Sequence, residues 1–248
     1  MNLFTHFLNV LGNGAVAYIT ARQIRDTLTR PNLLAGFQLA ESGAVPFLEK
    51  LRDRARDEGD EWLAEKLDRH ASDEKRHGMI FARGLKQMGK QVIDFKDLPK
   101  DDSKQRRSPF FDAYFQGYTA EDLKAENIDW IVFMGSTYIL ELDACKDFDR
   151  MARALPIDLP RERALREAIL SVSRDESRHA AYLHEALRRR LPEHQVETII
   201  EEWRERKIKA MFAMVGNFIE KGGKTTSIVK DGAPTEMEAE FELEPAMS

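Results

Sequence analysis

The chain has 248 residues, of which 42% are hydrophobic and 33% charged, and its mean hydropathy is -0.50. It carries 38 Lys and Arg against 43 Asp and Glu, so its formal net charge of -5 argues against a nucleic-acid binder, which usually has a basic surplus. The single cysteine, Cys145, excludes an intramolecular disulfide, a four-cysteine zinc site and a cysteine-ligated iron–sulfur centre within one chain.

Neither a membrane span nor a secretory signal is expected. No apolar run approaches the roughly 20 residues needed to cross a bilayer. Residues 1–14 are mildly apolar, but they lack a basic start and a cleavage-like site. We therefore expect a cytoplasmic protein whose residues 1–221 form a single domain, since a chain of this length can bury one full core.

Helical patterns dominate the sequence, and two helices are predicted before Gly89. Pro31 can open the first, because the missing N–H of proline costs nothing in the first turn, and apolar residues then recur at helical spacing until Gly59. Asp60 is suited to cap the second helix, which extends to Gly89. Residues 91–117 contain charges and two prolines and are predicted to form a long connection.

Three further helices are predicted after this connection. The first starts between Thr119 and Asp129, includes residues 130–151 and ends before Pro156. The second covers residues 160–190, and the third covers 192–221. Residues 222–248 are polar and acidic. They are predicted to form a mobile tail rather than an edge strand, because they contain few apolar residues that could be buried.

The phrase Asp-Glu-x-Arg-His occurs twice, beginning at Asp73 and at Asp175, an offset of 102 residues. Glu and His three residues apart project from one face of a helix, so both can bind one ion. A single such pair is usually a solvated surface, but here a further Glu interrupts an apolar stretch 33 residues before one motif Glu and 35 before the other. The repeated pattern predicts a dinuclear metal site with six ligands, Glu41, Glu74, His77, Glu141, Glu176 and His179.

The predicted ligands, four carboxylates and two imidazoles, form an oxygen-rich site without thiolate. Such ligands favour iron or manganese over copper(I) or a structural zinc. Two divalent ions would balance the charge of the four carboxylates, and a helical core can tolerate the resulting neutral cluster. We therefore expect two iron ions, with manganese or a mixed manganese/iron pair as alternatives.

This ligand pattern resembles that of the ferritin-like diiron carboxylate superfamily, over residues 33–190. The resemblance implies an all-α fold, a ferritin-like four-helix bundle with a long crossover, to which an additional C-terminal helix is attached here. Residues 91–120 are long enough for the crossover, since about 13 extended residues span a bundle of this height. The resemblance also implies that Glu74 and Glu176 bridge the two ions, while Glu41 and Glu141 are terminal ligands.

The aspartate of each motif is a candidate partner for a ligand histidine. A metal-bound histidine usually donates its other N–H to a carboxylate or carbonyl. The crossover makes the second and fourth bundle helices antiparallel, so each aspartate is expected to bond to the histidine of the opposite motif. This prediction pairs Asp73 with His179 and Asp175 with His77, and a bond within one helix is the alternative.

Four other residues lie near the predicted ligands in the sequence. Arg76 and Arg178 are expected to pair with the two aspartates, and surface ion pairs are the alternative. Tyr138 lies three residues before Glu141 and is a candidate to act near the metals, but a core position is favoured. His70 is expected to be capped or exposed to solvent rather than a ligand.

The resemblance implies O2 chemistry at the metal pair. We expect an oxygenase or oxidase that oxidises a small, apolar organic substrate and requires an electron donor. A ferroxidase or iron-handling protein and a peroxide-reducing protein are alternatives, the latter weakened because the chain has no Cys-x-x-Cys pair. A non-catalytic helical adaptor is the alternative from another class, and a homodimer is left open.

Overall fold

The computed structural model describes residues 14, 17–93, 108–220 and 227–232, and this part of the chain is almost entirely helical. A helix over residues 17–25 (α1) precedes five long helices and one short one. Their bounds are α2 Arg30–Asp57, α3 Glu61–Gln87, α4 Pro109–Tyr114, α5 Trp130–Ala154, α6 Pro160–Arg190 and α7 Glu193–Glu220. Among the described residues, no helix combines the length and the apolar character needed to cross a membrane.

Local signals place the helix ends where the sequence predicts them. α2 has Pro31 in its first turn and ends shortly before Gly59, whose φ of 81° is a conformation that glycine adopts without strain. The Asp60 side chain caps α3 by accepting a hydrogen bond of 3.0 Å from the backbone N–H of Leu63. Asp129 caps α5 in the same way, so the predicted boundaries of the long helices are confirmed to within a few residues.

The helices α2, α3, α5 and α6 pack side by side, and α3 runs antiparallel to α6. His70 lies against Tyr182, whereas His77, two turns further along α3, lies against Asp175, which comes earlier in α6. In these contacting pairs, the residue number rises along α3 while it falls along α6, as it does between antiparallel helices. The expected direction of these two helices is therefore confirmed.

Two of the three apolar clusters in the described residues lie one on each side of the predicted site along the helices. One cluster includes Leu63 and Leu187, and the other includes Leu85 and Ile169. In each of the four helices, the acidic and histidine residues of the predicted site lie between the parts that enter the two clusters. A polar layer thus crosses the middle of the core.

Part of the predicted long connection is ordered by its contacts with α7. The short helix α4 has a proline in its first turn and buries Tyr114, whose hydroxyl donates a 2.8 Å hydrogen bond to the carbonyl of Ser136. The same ring packs against Trp203 of α7. α7 approaches α5 closely at Gly135, where a Cβ atom would come within 2.6 Å of the Trp203 side chain. Sequence periodicity did not predict α4 because this helix has only six residues.

Two short strands join the start of this connection to the C-terminal region. β1 (Lys90–Val92) pairs antiparallel with β2 (Val229–Asp231), and the N–H of Ile228 donates a 2.7 Å hydrogen bond to the Asn32 side chain of α2. Residues 227–232 therefore form a paired segment rather than the predicted mobile tail. The rest of the connection and of the predicted tail lies outside the described residues, at 94–107, 221–226 and 233–248.

Candidate metal centre

The two copies of the motif meet in the polar layer, and all six predicted ligands lie there. Two groups of side chains can each hold a metal ion, since the ligand atoms within a group lie no more than 4.8 Å apart. One group consists of Glu41, Glu74, His77 and Glu176. The other consists of His70, Glu74, Glu141 and His179.

The Nδ1 atoms of the two motif histidines face carboxylate oxygens. Nδ1 of His77 lies 3.2 Å from Oε1 of Glu176 and 3.6 Å from Oε2 of Glu41. In the other half, Nδ1 of His179 lies 3.4 and 3.5 Å from its two nearest carboxylates. Two donors at about 2.1 Å from one ion lie about 3.0–3.4 Å apart at common coordination angles, so these separations are close to those of ligands that share an ion.

The carboxylates of the two motifs lie close to both histidines. Oε1 of Glu74 is 3.8 Å from Nδ1 of His77 and 3.4 Å from Nδ1 of His179. Glu176 is 3.2 Å from the first of these nitrogens through Oε1 and 3.8 Å from the second through Oε2. These are positions from which a carboxylate can bridge two ions.

Four donor atoms of the cluster are buried without a hydrogen-bond partner in the described part of the chain. They are Oε1 of Glu74, Oε1 of Glu176, Nδ1 of His77 and Nδ1 of His179. A buried polar atom left unpaired costs about 1–3 kcal/mol, so native proteins rarely leave four in one place. Because these atoms face one another, a bound cation would satisfy all of them, and the residues present fit a dinuclear metal centre.

Burial and contacts among the side chains raise the pKa values of two glutamates of the cluster and lower those of the other two. Burial raises the pKa of Glu41 and of Glu176, and the neighbouring carboxylates raise both further. Burial acts in the same direction on Glu74 and Glu141, but a neighbouring carboxyl and the imidazoles outweigh it and lower their pKa values. Against the effect of burial, the surrounding carboxylates raise the pKa of His77 to about 11. The site thus favours positive charge at its centre.

The other nitrogen of each motif histidine contacts the aspartate of the opposite motif, as predicted. Nε2 of His77 lies 3.2 Å from Oδ2 of Asp175, and Nε2 of His179 lies 3.3 Å from Oδ2 of Asp73. When Nε2–H donates to the carboxylate, Nδ1 keeps the lone pair that faces the cluster. The crosswise pairing is confirmed.

Arg76 and Arg178 join the two aspartates, which confirms the predicted pairing. Arg178 contacts Asp175 and lies 3.2 Å from Oδ2 of Asp73, while Arg76 contacts Asp175 and lies 3.8 Å from Asp73. Although burial raises the pKa of Asp73, its contacts with His179 and the two arginines lower this pKa to about 2. The aspartate therefore stays ionised and accepts the imidazole N–H.

We expect Asp175→Asn to weaken metal binding by about 10–100-fold while the fold is kept, because an amide no longer holds the imidazole of His77 through a charged acceptor. Anaerobic titration with Fe²⁺ measures the affinity, and thermal unfolding of the metal-free proteins checks the fold. Asp68→Asn is the matched control, since Asp68 is an exposed residue of α3 that pairs with Arg52. Equal affinities for the two variants would contradict the role of Asp175.

The sequence prediction did not assign His70 and Tyr182 to the cluster. His70, expected to be capped or exposed, is only 2% exposed, and its Nε2 lies 3.1 Å from Oε1 of Glu74 and 3.5 Å from Oε1 of Glu141. Its Nδ1 lies 2.7 Å from the hydroxyl of Tyr182. The spacing of His70, four residues before Glu74 and seven before His77, places all three on one helix face and was the signal that identifies it.

Tyr138 contacts His184, which is not one of the histidines of the cluster. It stacks on His184 with a centroid separation of 5.4 Å and packs as a half-buried residue at the edge of the apolar core. Tyr138 therefore occupies the core position that the sequence favours. The tyrosine hydroxyl that contacts a histidine of the cluster is that of Tyr182.

No protein-family model matches this chain, and neither a curated protein nor a solved structure matches it. The buried cluster of glutamates and histidines is therefore the feature from which a function is inferred. Its nitrogen and oxygen donors could hold metal ions within an almost entirely helical structure.

Proposed function

We propose that this protein is an O2-dependent oxidoreductase with a dinuclear non-haem iron site in a ferritin-like four-helix bundle. The observation that carries the proposal is the pair of buried donor groups, built from a duplicated motif, that share Glu74. Nitrogen and oxygen donors without thiolate suit iron, and manganese or a mixed manganese/iron pair suits the same donors. When bound, the two ions supply the redox chemistry for O2 reduction and substrate oxidation.

Each ligand has an assigned role in this proposal. Glu74 and Glu176 would be shared by the two ions, because each lies close to both motif histidines. Glu41 belongs to the group of donors that contains His77, and Glu141 belongs to the other group, so each would hold one ion. Asp73 and Asp175 keep the motif histidines in the tautomer that presents Nδ1 to an ion.

Three aromatic rings pack together near the ligands in the sequence. The rings of Phe37, Phe81 and Phe148 contact one another with centroid separations of 5.0–5.6 Å. Phe37 is one helical turn from Glu41, and Phe81 is one turn from His77. The three rings belong to the apolar cluster that contains Leu85. A small, apolar organic molecule is the substrate class that the resemblance implies, and apolar side chains one turn from two ligands are compatible with it.

The proposal requires an external electron donor. A pair of ferrous ions held by these residues would supply two electrons to O2, so a reductant would be needed to restore them. The donor, O2 and the organic substrate are the expected partners.

Anaerobic loading of metal-free protein with Fe²⁺ tests the proposal. The expected result is two ions per chain and O2 consumption when a reductant is supplied. Uptake of hundreds of ions per assembly would indicate iron storage, and preferential consumption of hydrogen peroxide would indicate a peroxide-reducing protein. Purified protein that binds no stoichiometric metal would support a helical adaptor instead.

A further inference from the structure

The sequence repeat relates the two metal positions, but the residues beside them differ. At the offset of 102 residues that superimposes the two motifs, His70 corresponds to Val172 and Tyr182 corresponds to Ile80. One position is therefore bordered by a histidine–tyrosine pair, and the other by a valine–isoleucine pair.

His70 has the surroundings of a ligand. Its Nε2 lies 3.1 Å from Oε1 of Glu74 and 3.5 Å from Oε1 of Glu141. Its ring stacks on that of His179 with a centroid separation of 3.7 Å, so both imidazoles border the same group of donors. When Nδ1–H donates to the Tyr182 hydroxyl at 2.7 Å, the lone pair of Nε2 is directed to the carboxylates.

The corresponding residues in the other half offer no donor. Val172 is fully buried in the apolar cluster that contains Leu85, and Ile80 packs against the same cluster. Each group of donors has four members, and Glu176, a member of the group with His77, also lies 3.8 Å from Nδ1 of His179. The position with His70 therefore has five candidate ligands, whereas the position with Glu41 and His77 has four. Fewer protein ligands leave more coordination positions open to small external ligands.

We propose that His70 is a seventh metal ligand and that it makes the two ions inequivalent. The ion held by His70, Glu141 and His179 binds first and more tightly. The ion held by Glu41 and His77 binds second and takes up small external ligands. This inference depends on the proposed function only in requiring that the site binds two ions.

Titration of the metal-free protein with Co²⁺, followed by its visible absorption, tests the inference without turnover. The wild-type protein is expected to bind two ions in two separate steps. His70→Val, which copies the residue at the corresponding position, is expected to weaken the tight step by at least about 10–100-fold, the loss typical of removing even an indirect partner of a ligand. Azide added to the fully loaded wild type is expected to change the spectrum of the second ion only.

Two further variants complete the test. Tyr182→Phe keeps every ligand and removes only the hydrogen bond to His70, so it is expected to weaken the tight step by about 10-fold, and it serves if His70→Val does not fold. His194→Val, at an exposed position of α7, is the control and is expected to bind like the wild type.

The outcomes separate this inference from the proposed function. Two equal binding steps in the wild type, or an unchanged tight step in His70→Val or Tyr182→Phe, would overturn the inequivalence. Two-step binding without O2 consumption would overturn the proposed function and support the inference. A wild type that binds no stoichiometric metal would overturn both.

Discussion

Replacing Glu74 or Glu176 by alanine is expected to lower bound metal from two ions per chain to fewer than one and to abolish O2 consumption. Each of these carboxylates lies close to both motif histidines, so its removal takes a donor from both metal positions at once. The loss also leaves the remaining buried carboxylates without the cation that balances them. Metal analysis after anaerobic loading with Fe²⁺ and an oxygen electrode measure the two effects.

Two comparison variants sharpen this test. Glu65→Ala removes an exposed carboxylate from α3, the helix that contains Glu74, and is expected to keep two ions. Glu41→Ala removes a donor from one position only and is expected to keep the ion at the position that contains His70. Two ions and normal turnover in either bridging variant would show that the assigned site is wrong.

Removing the metal with a chelator is expected to lower the Tm by about 5–15 °C. A ligand that binds only the folded state at 100–1,000 times its Kd adds about 2.7–4.1 kcal/mol to the free energy of unfolding, and about 2–4 °C per kcal/mol is typical at this chain length. The physical cause is the polar layer itself, where four donor atoms have no hydrogen-bond partner among the described residues. Thermal unfolding followed by circular dichroism, with and without added Fe²⁺ or Mn²⁺, measures the shift.

A variant with both bridging glutamates replaced by alanine is the control for this prediction. Its Tm is expected to be the same with and without metal, since it has no shared carboxylate to hold two ions. A wild-type Tm that does not respond to metal would contradict the prediction.

The parts of the site that the sequence predicts are those in which short-range spacing determines geometry. Glu74 and His77 share a helix face because they are three residues apart, and the same holds for Glu176 and His179. The crosswise contact of Asp73 with His179 follows from the same spacing once the two helices are antiparallel. Such relations depend only on helix geometry and on one element of topology.

The parts that the sequence did not predict depend on contacts between distant segments. Spacing places His70 on the helix face of Glu74 and His77, but its burial beside the Tyr182 hydroxyl, 112 residues away, depends on how α3 and α6 pack. The strand at residues 90–92 likewise requires its partner at 229–231, and neither segment has a strong strand pattern alone. Backbone groups of a short strand are satisfied only by a second strand, which local composition does not reveal.

The sequence by itself determined the helix ends, the six repeated glutamate and histidine positions and the aspartates that support them, because capping, periodicity and i, i+3 spacing act within a few turns of one helix. The repeat in the sequence pairs His70 with Val172 and Tyr182 with Ile80, but only the tertiary structure decided that this difference lies beside the donor groups. It places His70 and Tyr182 beside one group of donors and buries Val172 in the apolar cluster next to the other. The asymmetry arises where side chains from α3 and α6 meet, and that meeting depends on how the helices pack.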